Sequence, residues 1–544
     1  MLIAWRRKHG HDLKLRDDYY ARTIANAKQT RFKERSTDKS QRRKGRRELN
    51  AGDKDFARIT PLAWEALNGA NDPPRLFRSG GVASRLEYDD GGFPMLKELD
   101  EHRMTNELTE AVHWYIEEKT TRVRSDATPP TRLVNNLLSS REVPLPVLTR
   151  IVTAPVFSTA GKLETGHGYH TESRTFCHQL EGFCLRSVRA HPTPSDIERA
   201  RATIVKRLLG DFPFISNSER AHAVALLLLP FARELFEGPT PLHEIESPMP
   251  GSGKGLLADV LALPSTLTPS RLTEAGNEEE WRKRITSTRR AVPSFVIIDN
   301  VGCRLESSQL ASALTSTVWE DRLLGLSRNI RLPIRCAIAV TANNPSFSME
   351  IMRRCVRIRI DSKTDRPWLR DKFQEPDLRK FAIENRNELV WSALVMIQAW
   401  IAEGRPLFKG KKLGSFERWS EVMGGILGVV GVPGFLENLN EFYEEADTDG
   451  TTLRQFVAEW WVTLGAGEVT TSQLWKLSAR DLFELGEGTE QSQKIRFGKM
   501  IALLRDRHIE QFCIKRGGKV QRAVVWYLEW TGDGEPPETC AEKG

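Results

Sequence analysis

Pro241-Leu-His-Glu-Ile-Glu-Ser-Pro-Met-Pro-Gly-Ser-Gly-Lys-Gly255, followed by Leu256-Leu-Ala-Asp-Val-Leu261, is the stretch that decides the fold. An apolar run (Pro241–Ser247) reads as a strand, a glycine-rich turn follows, and the next residues have helical periodicity. Strand, turn and helix in that order fit the phosphate-binding pattern Gly-x4-Gly-Lys-Ser/Thr. Backbone N–H groups of such a turn and the helix N-terminus cradle anionic phosphates, and the lysine reaches the outer ones. Pro250, Gly251, Ser252, Gly253, Lys254, Gly255 and Leu256 are the candidate nucleotide-binding residues. Pro248 stands where the pattern has its first glycine. Gly255 stands where it has the hydroxyl residue that would ligate Mg2+.

Further strands follow downstream. Ser294-Phe-Val-Ile-Ile-Asp299 is an apolar strand ending in a carboxylate, placed to hold Mg2+ indirectly through water; Asn300 comes next, where a water-polarising glutamate would ordinarily stand. Ala337-Ile-Ala-Val-Thr-Ala-Asn343-Asn344 ends in amides, either of which suits orienting water beside a γ-phosphate. Glu350-Ile-Met-Arg353-Arg354 precedes a last strand, Val356–Ile360, at a place suited to an arginine acting in a neighbouring subunit. Strands alternating with helices predict an α/β core with a parallel sheet covered on both faces.

Outward from this core, the 544 residues are 40% hydrophobic, enough for a sizeable core, and suggest three or four domains at ~150 residues each. The longest apolar run, near Ala221–Ala232, is shorter than the ~20 residues of a membrane helix, and no secretory signal is evident. Seven scattered cysteines make no disulfide framework, so a reducing, cytoplasmic setting is expected. The net charge of +8 is uneven: residues 1–47 hold 16 Lys+Arg against 5 Asp+Glu, leaving 64 against 67 in the rest. Such a basic arm attracts polyanions or serves as a solvated tail.

The expected organisation is a basic, mobile arm (1–55, with a helix over 17–27), a mixed α/β accessory region (56–190) and the core with its preceding helices (191–362). A helical connector (363–450), a winged-helix-like region (451–530) and a tail (531–544) complete it. In the accessory region, strands are expected at Pro74–Arg78 and Pro155–Phe157 and a helix at Glu107–Glu118. Beyond the core, helices are expected at Leu378–Ala402, Ser415–Val430, Leu453–Leu464, Thr471–Ser478 and Lys494–Arg507. A ribbon, Phe512–Lys515 and Ala523–Leu528 about a Gly517-Gly518 turn, closes the pattern. Cys177, His178, Cys184 and His191 lack a zinc clamp and read as ordinary thiols and histidines. Trp460, Trp461 and Trp475 read as core.

Residues 240–360 resemble an AAA+ ATPase module, most like the superfamily 3-like helicases of phage and plasmid primase-helicase proteins. The resemblance rests on Pro250–Lys254, Ile298-Asp-Asn300, Thr341–Asn344 and Arg353-Arg354. It extends more loosely over 190–530, through Glu280-Trp-Arg-Lys-Arg284 and Gly414-Ser-Phe-Glu-Arg-Trp419. It implies a ring, expected to be a hexamer, that uses ATP and Mg2+ at subunit interfaces and translocates on single-stranded DNA in a bacterial host, with a primase or other replication protein as an expected partner. Lys254, Asp299, Asn300, Asn343, Asn344, Arg353 and Arg354 are then the catalytic candidates. Between the Asp299 and Asn343 strands lies a hairpin pattern, Asp321–Arg335, which in related helicases projects into the pore, so that Arg328, assisted by Arg331, would contact phosphate without reading sequence. A winged helix over Lys494–Arg522, with 9 basic and 2 acidic residues, would bring Lys494, Lys499, Lys515, Arg516 and Lys519 to duplex DNA or serve as a protein contact. The alternative is an ATP-gated DNA-binding initiator or loader with weak or no hydrolysis. A signalling ATPase would need an effector constellation that residues 56–190 do not display.

Overall fold

The structure, a computed structural model, describes residues 46–118, 120–180, 182–302, 304–322, 329–446, 448–477, 482–483, 485–520 and 523–537. Most of the basic arm, with its expected helix, and Arg328 lie outside the described residues. The chain divides into two compact units, residues 1–439 and 440–544.

The nucleus of the first unit is an all-parallel five-stranded sheet. In spatial order its strands are Ser270–Thr273, Phe295–Val301, Ala337–Asn343, Leu242–Ser247 and Cys355–Arg359. The chain leaves the Leu242–Ser247 strand for one edge, returns beside it, and then crosses to its other side. That reversal opens a crevice at the carboxyl end of the strand, where ligands of open parallel sheets bind. All six residues of Leu242–Ser247 are buried, as a central parallel strand requires. Beneath it runs the helix Asn217–Ala232, in which every residue from Ala221 onward is buried. Ser216 caps this helix by accepting the N–H of Ser218.

Residues 46–190 form small sheets packed with three helices around Trp64, Met104, Leu108 and Trp114. The expected helix Glu107–Glu118 is half right. The helix runs Glu101–Ala111, and Val112–Glu117 is a strand pairing in parallel with Arg47–Asn50. The sequence His113-Trp-Tyr-Ile116 suits a pleated surface better than a helix, and the pairing builds the end of the expected mobile arm into a sheet. Arg150, fully buried, ties this region to the core by donating to the carbonyl of Pro230 at 2.7 Å.

The expected helix Leu378–Ala402 is two, Leu378–Glu384 and Arg386–Ala402, broken at Asn385. The second unit packs the helices Thr448–Leu464, Thr471–Trp475 and Glu490–Leu503 on a four-stranded sheet rather than a two-stranded ribbon. Its strand order is Val469–Thr470, Ala523–Trp530, Phe512–Val520, His508–Ile509. Trp460, Trp461 and Trp475 lie in its core with Phe497 and Ile501. Gly517-Gly518 is not the turn: the strand continues to Val520 through a bulge between Arg516 and Lys519. A Cβ on Gly517 would run into the side chains of Glu468 and Val525, so glycine there marks a close approach inside the strand. Among the described residues no helix is long and apolar enough to cross a membrane.

Candidate functional site

The crevice predicted by topology is lined by Pro250–Gly255, Asp299, Asn300, Thr341 and Asn343 and encloses about 230 Å³. Gly251 and Gly253 adopt φ of +74° and +98°, the left-handed region that favours glycine. Gly253 is also the residue from which the helix Lys254–Ala262 starts, so its turn aims the helix N-terminus into the crevice. A Cβ on Gly251 would lie 3.1 Å from the ring of Trp368, an exposed tryptophan seated on the loop from the segment after the last strand.

Lys254 is 8% exposed. Its Nζ donates to Asn343 Oδ1 at 2.6 Å, and to Met249 O and Ser252 Oγ at 3.3 Å each. Burial pushes its pKa below the ordinary lysine value, against the attraction of Glu246. The ammonium is therefore held in place without an anion of its own. Asn343 reaches it because its strand is inserted between the Leu242–Ser247 strand, which leads into the Lys254 loop, and the Asp299 strand. Asn344 turns away at φ +39° with its N–H on Ser247 O, so of the two amides only Asn343 lines the crevice.

Asp299 and Asn300 form a bulge at the end of their strand. Asn300 has φ +53°, a conformation asparagine tolerates better than glutamate does. Its N–H donates to Thr341 Oγ1 at 2.8 Å, and Thr341 Oγ1 donates to Asp299 Oδ1 at 2.7 Å. The other oxygen, Oδ2, accepts from Arg271 Nη1 at 2.7 Å. Arg271, on the edge strand Ser270–Thr273, also pairs with Asp259 of the loop's own helix, and Asp259 pairs in turn with Arg379. A divalent cation needs oxygen donors free to face it. Gly255 offers no side chain, and both oxygens of Asp299 are engaged. The residues present do not fit a protein-held Mg2+. Glu306, a carboxylate that follows this strand, is exposed, faces Arg304 and does not line the crevice.

The two candidate arginines separate. Arg353 is exposed. Arg354 is 9% exposed and folds back on the carbonyl and carboxylate of Glu350, so it is a packing residue of its own subunit. The expected hairpin is present as Val318–Arg322 paired with Asn329–Pro333. Trp319, Ile330 and Leu332 bury one face; Asp321 is held by Arg282 at 2.6 Å. Arg331 points outward and pairs with Glu320 at 2.7 Å.

In the second unit, Phe497, Ile501 and Leu504 form the buried stripe of the helix Glu490–Leu503, leaving Lys499 exposed and Lys494 against Glu490 at 2.7 Å. Lys515 lies mid-strand opposite Tyr527, bridging Asp506 and Glu529, and not at a turn. Arg516 and Lys519 are exposed. Among the described residues no cluster of metal-ligating side chains exists.

Sequence reasoning missed Arg271, Asp259 and Trp368. The strand carrying Arg271 is four residues long and polar, with no periodicity to reveal it. Trp368 alone had a signal, an aromatic in a Pro-containing connection just after the last strand.

The sequence matches no family model and no curated protein. Among solved structures it is similar to the apo C-terminal region of NrS-1, at 10% identity and a TM-score of 0.34, covering 83% of this chain and 96% of that one. It is also similar to JCV helicase, at 14% identity and a TM-score of 0.20, covering 46% of this chain and 73% of that one. An inhibitor-bound JCV helicase matches at 15% and 0.20, over 33% of this chain and 53% of that one.

Proposed function

We propose that the chain is an ATP-dependent DNA translocase of the helicase kind, assembling as a ring of identical subunits, a hexamer, for replication of a phage or other mobile element. The observation that carries this reading is the convergence of Lys254, at a helix N-terminus, with Asn343 and Asp299, at the ends of two strands, on one glycine-turned crevice at the sheet's reversal point. Lys254 takes the outer phosphates of ATP, Asn343 orients water beside them, and Arg353 reaches across to the next subunit. The Val318–Pro333 hairpin carries single-stranded DNA contacts through Arg328 and Arg331. The second unit acts as a winged helix on duplex DNA through Lys499, Arg516 and Lys519. Positioning and electrostatics supply most of phosphoryl transfer, so turnover without a strong base is slow rather than forbidden.

A second reading, an ATP-gated initiator or loader, is favoured by one observation. The sole carboxylate lining the crevice among the described residues, Asp299, is already paired. ATP hydrolysis with and without single-stranded DNA, in wild type and Lys254→Ala, separates the two. DNA-stimulated turnover lost in the variant, with strand displacement, is the translocase result. Nucleotide-dependent oligomers on DNA without turnover above the variant would establish the loader.

A further inference from the structure

We infer that Arg271 is a built-in counter-cation of the phosphate crevice, offsetting the charge of Asp299 toward an incoming triphosphate so that this chain binds nucleotide without a protein-held divalent cation. The inference rests on the nucleotide reading of the crevice and concerns what balances charge inside it.

Asp299 lines the crevice opposite Lys254, and a bare carboxylate there would repel a polyphosphate. The usual remedy is a metal ion gripped between carboxylate and loop hydroxyl. Here the hydroxyl is missing and the carboxylate is already paired. Gly255 has no hydroxyl, and a Cβ added at that position meets nothing within 4 Å, so packing does not demand glycine. The outward oxygen of Asp299 instead carries Arg271, whose guanidinium forks between Asp299 at 2.7 Å and Asp259. A planar guanidinium with fixed donors keeps its charge at every physiological pH and suits two carboxylates at once. Arg379 supplies Asp259 with a second partner, which leaves Asp259 paired when Arg271 is replaced. Arg271 is thus a positioning residue: it acts through Asp299.

The test titrates a fluorescent ATP analogue into the full chain, once with excess magnesium and once with excess EDTA. Wild type is expected to bind within about threefold in the two conditions. Arg271→Gln, which keeps hydrogen bonding and loses the charge, is expected to bind at least tenfold more weakly in EDTA than in magnesium. The double variant Arg271→Gln/Asp299→Asn returns to within threefold, which no mere strut between strand and helix would do. Arg271→Ala, checked by thermal melting, repeats the measurement should the glutamine perturb the fold. A tenfold loss for wild type in EDTA, or metal-independence of Arg271→Gln equal to wild type, overturns the assignment. Absence of saturable binding to wild type in either condition overturns the nucleotide reading itself, and the inference with it.

Discussion

Lys254→Ala is the perturbation whose size the structure fixes best. The ammonium is nearly enclosed, and three acceptors already hold it: Asn343 Oδ1 at 2.6 Å, with Met249 O and Ser252 Oγ at 3.3 Å. A triphosphate must therefore replace neutral hydrogen bonds by charged ones. The gross attraction between unit charges ~4 Å apart is about 4 kcal/mol at an effective dielectric of about 20. Hydrogen bonds to charged groups contribute about 1.5–3 kcal/mol net. Allowing for the acceptors given up, the loss is about 2–3 kcal/mol, or roughly 30- to 150-fold in Kd at about 1.4 kcal/mol per decade. Stability should behave oppositely. The folded state depresses the lysine pKa, so the unfolded chain holds this proton more readily. Lys254's contribution to stability therefore rises with pH from its depressed value toward 10.5, and at neutral pH the buried charge is a cost. The alanine variant should melt no lower than about 1 kcal/mol below wild type. Nucleotide titration by fluorescence, paired with thermal melting, reads both. A change under threefold in a variant that melts normally would remove Lys254 from the phosphate site.

Arg353→Ala should lower ATP turnover at least tenfold in assembled protein while leaving single-subunit nucleotide affinity intact. Arg354→Ala should instead lower the melting temperature, since it removes a nearly buried guanidinium and its half-exposed pairing with Glu350; equal effects of the two on melting would refute the division. Two fully buried histidines make the first unit acid-sensitive. His222 donates from Nδ1 to Arg357 O and accepts the Leu436 N–H at Nε2, as a neutral ring must, and burial lowers it to about 4; burial lowers His243 to about 3. The unfolded chain protonates them from about 6.5 downward while the fold does not, so stability falls with pH from there to about 4 for His222 and about 3 for His243, by about 2 kcal/mol per histidine at pH 5. Denaturant midpoints at pH 7.5 and 5 test it, and an unchanged midpoint refutes it. Lys499→Ala/Arg516→Ala/Lys519→Ala should weaken duplex binding uniformly across sequences and flatten its log–log salt slope by up to about 3. An unchanged slope would turn the second unit into a protein-contact module.

Legibility tracked how local each signal was. The Leu242–Ser247 strand, its glycine turn and the helix after it announce themselves within about twenty residues, because strand burial and left-handed glycines are written into adjacent positions. Phe295–Asp299 and Ala337–Asn343 were readable as uninterrupted apolar runs. Their order in the sheet was not, and it is that order which sets Asn343 between Lys254 and Asp299. Arg271 was invisible because its partners, Asp259 and Asp299, are 12 and 28 positions away and nothing in a four-residue polar strand hints at them. The helix Glu490–Leu503 starts four residues before its expected start because Thr489 caps it through the N–H of Ser492, a signal available but overlooked. Val112–Glu117 was misread because a helical period ran into it from Glu101–Ala111, and only the distant Arg47–Asn50 strand makes it β.

Gly255→Ser brings these departures together. If the missing hydroxyl were a concession to space, serine would be resisted. Gly255 has no left-handed φ, however, and nothing within 4 Å of an added Cβ, and it sits in the first turn of the Lys254–Ala262 helix. Serine there should raise stability by about half a kcal/mol through helix propensity alone. It should not by itself confer magnesium-stimulated hydrolysis, because Asp299 remains occupied by Thr341 and Arg271. Nor would glutamate at 300 complete the site cheaply, since it would have to adopt the φ of +53° that asparagine accepts, at about 1–2 kcal/mol. The hydroxyl, the free carboxylate and the base are therefore interdependent. Gly255→Ser combined with Arg271→Ala should gain magnesium-stimulated turnover that neither change gives alone. A tenfold gain from Gly255→Ser by itself would show that Asp299 is free to bind metal despite its two partners, and that the serine hydroxyl alone had been lacking.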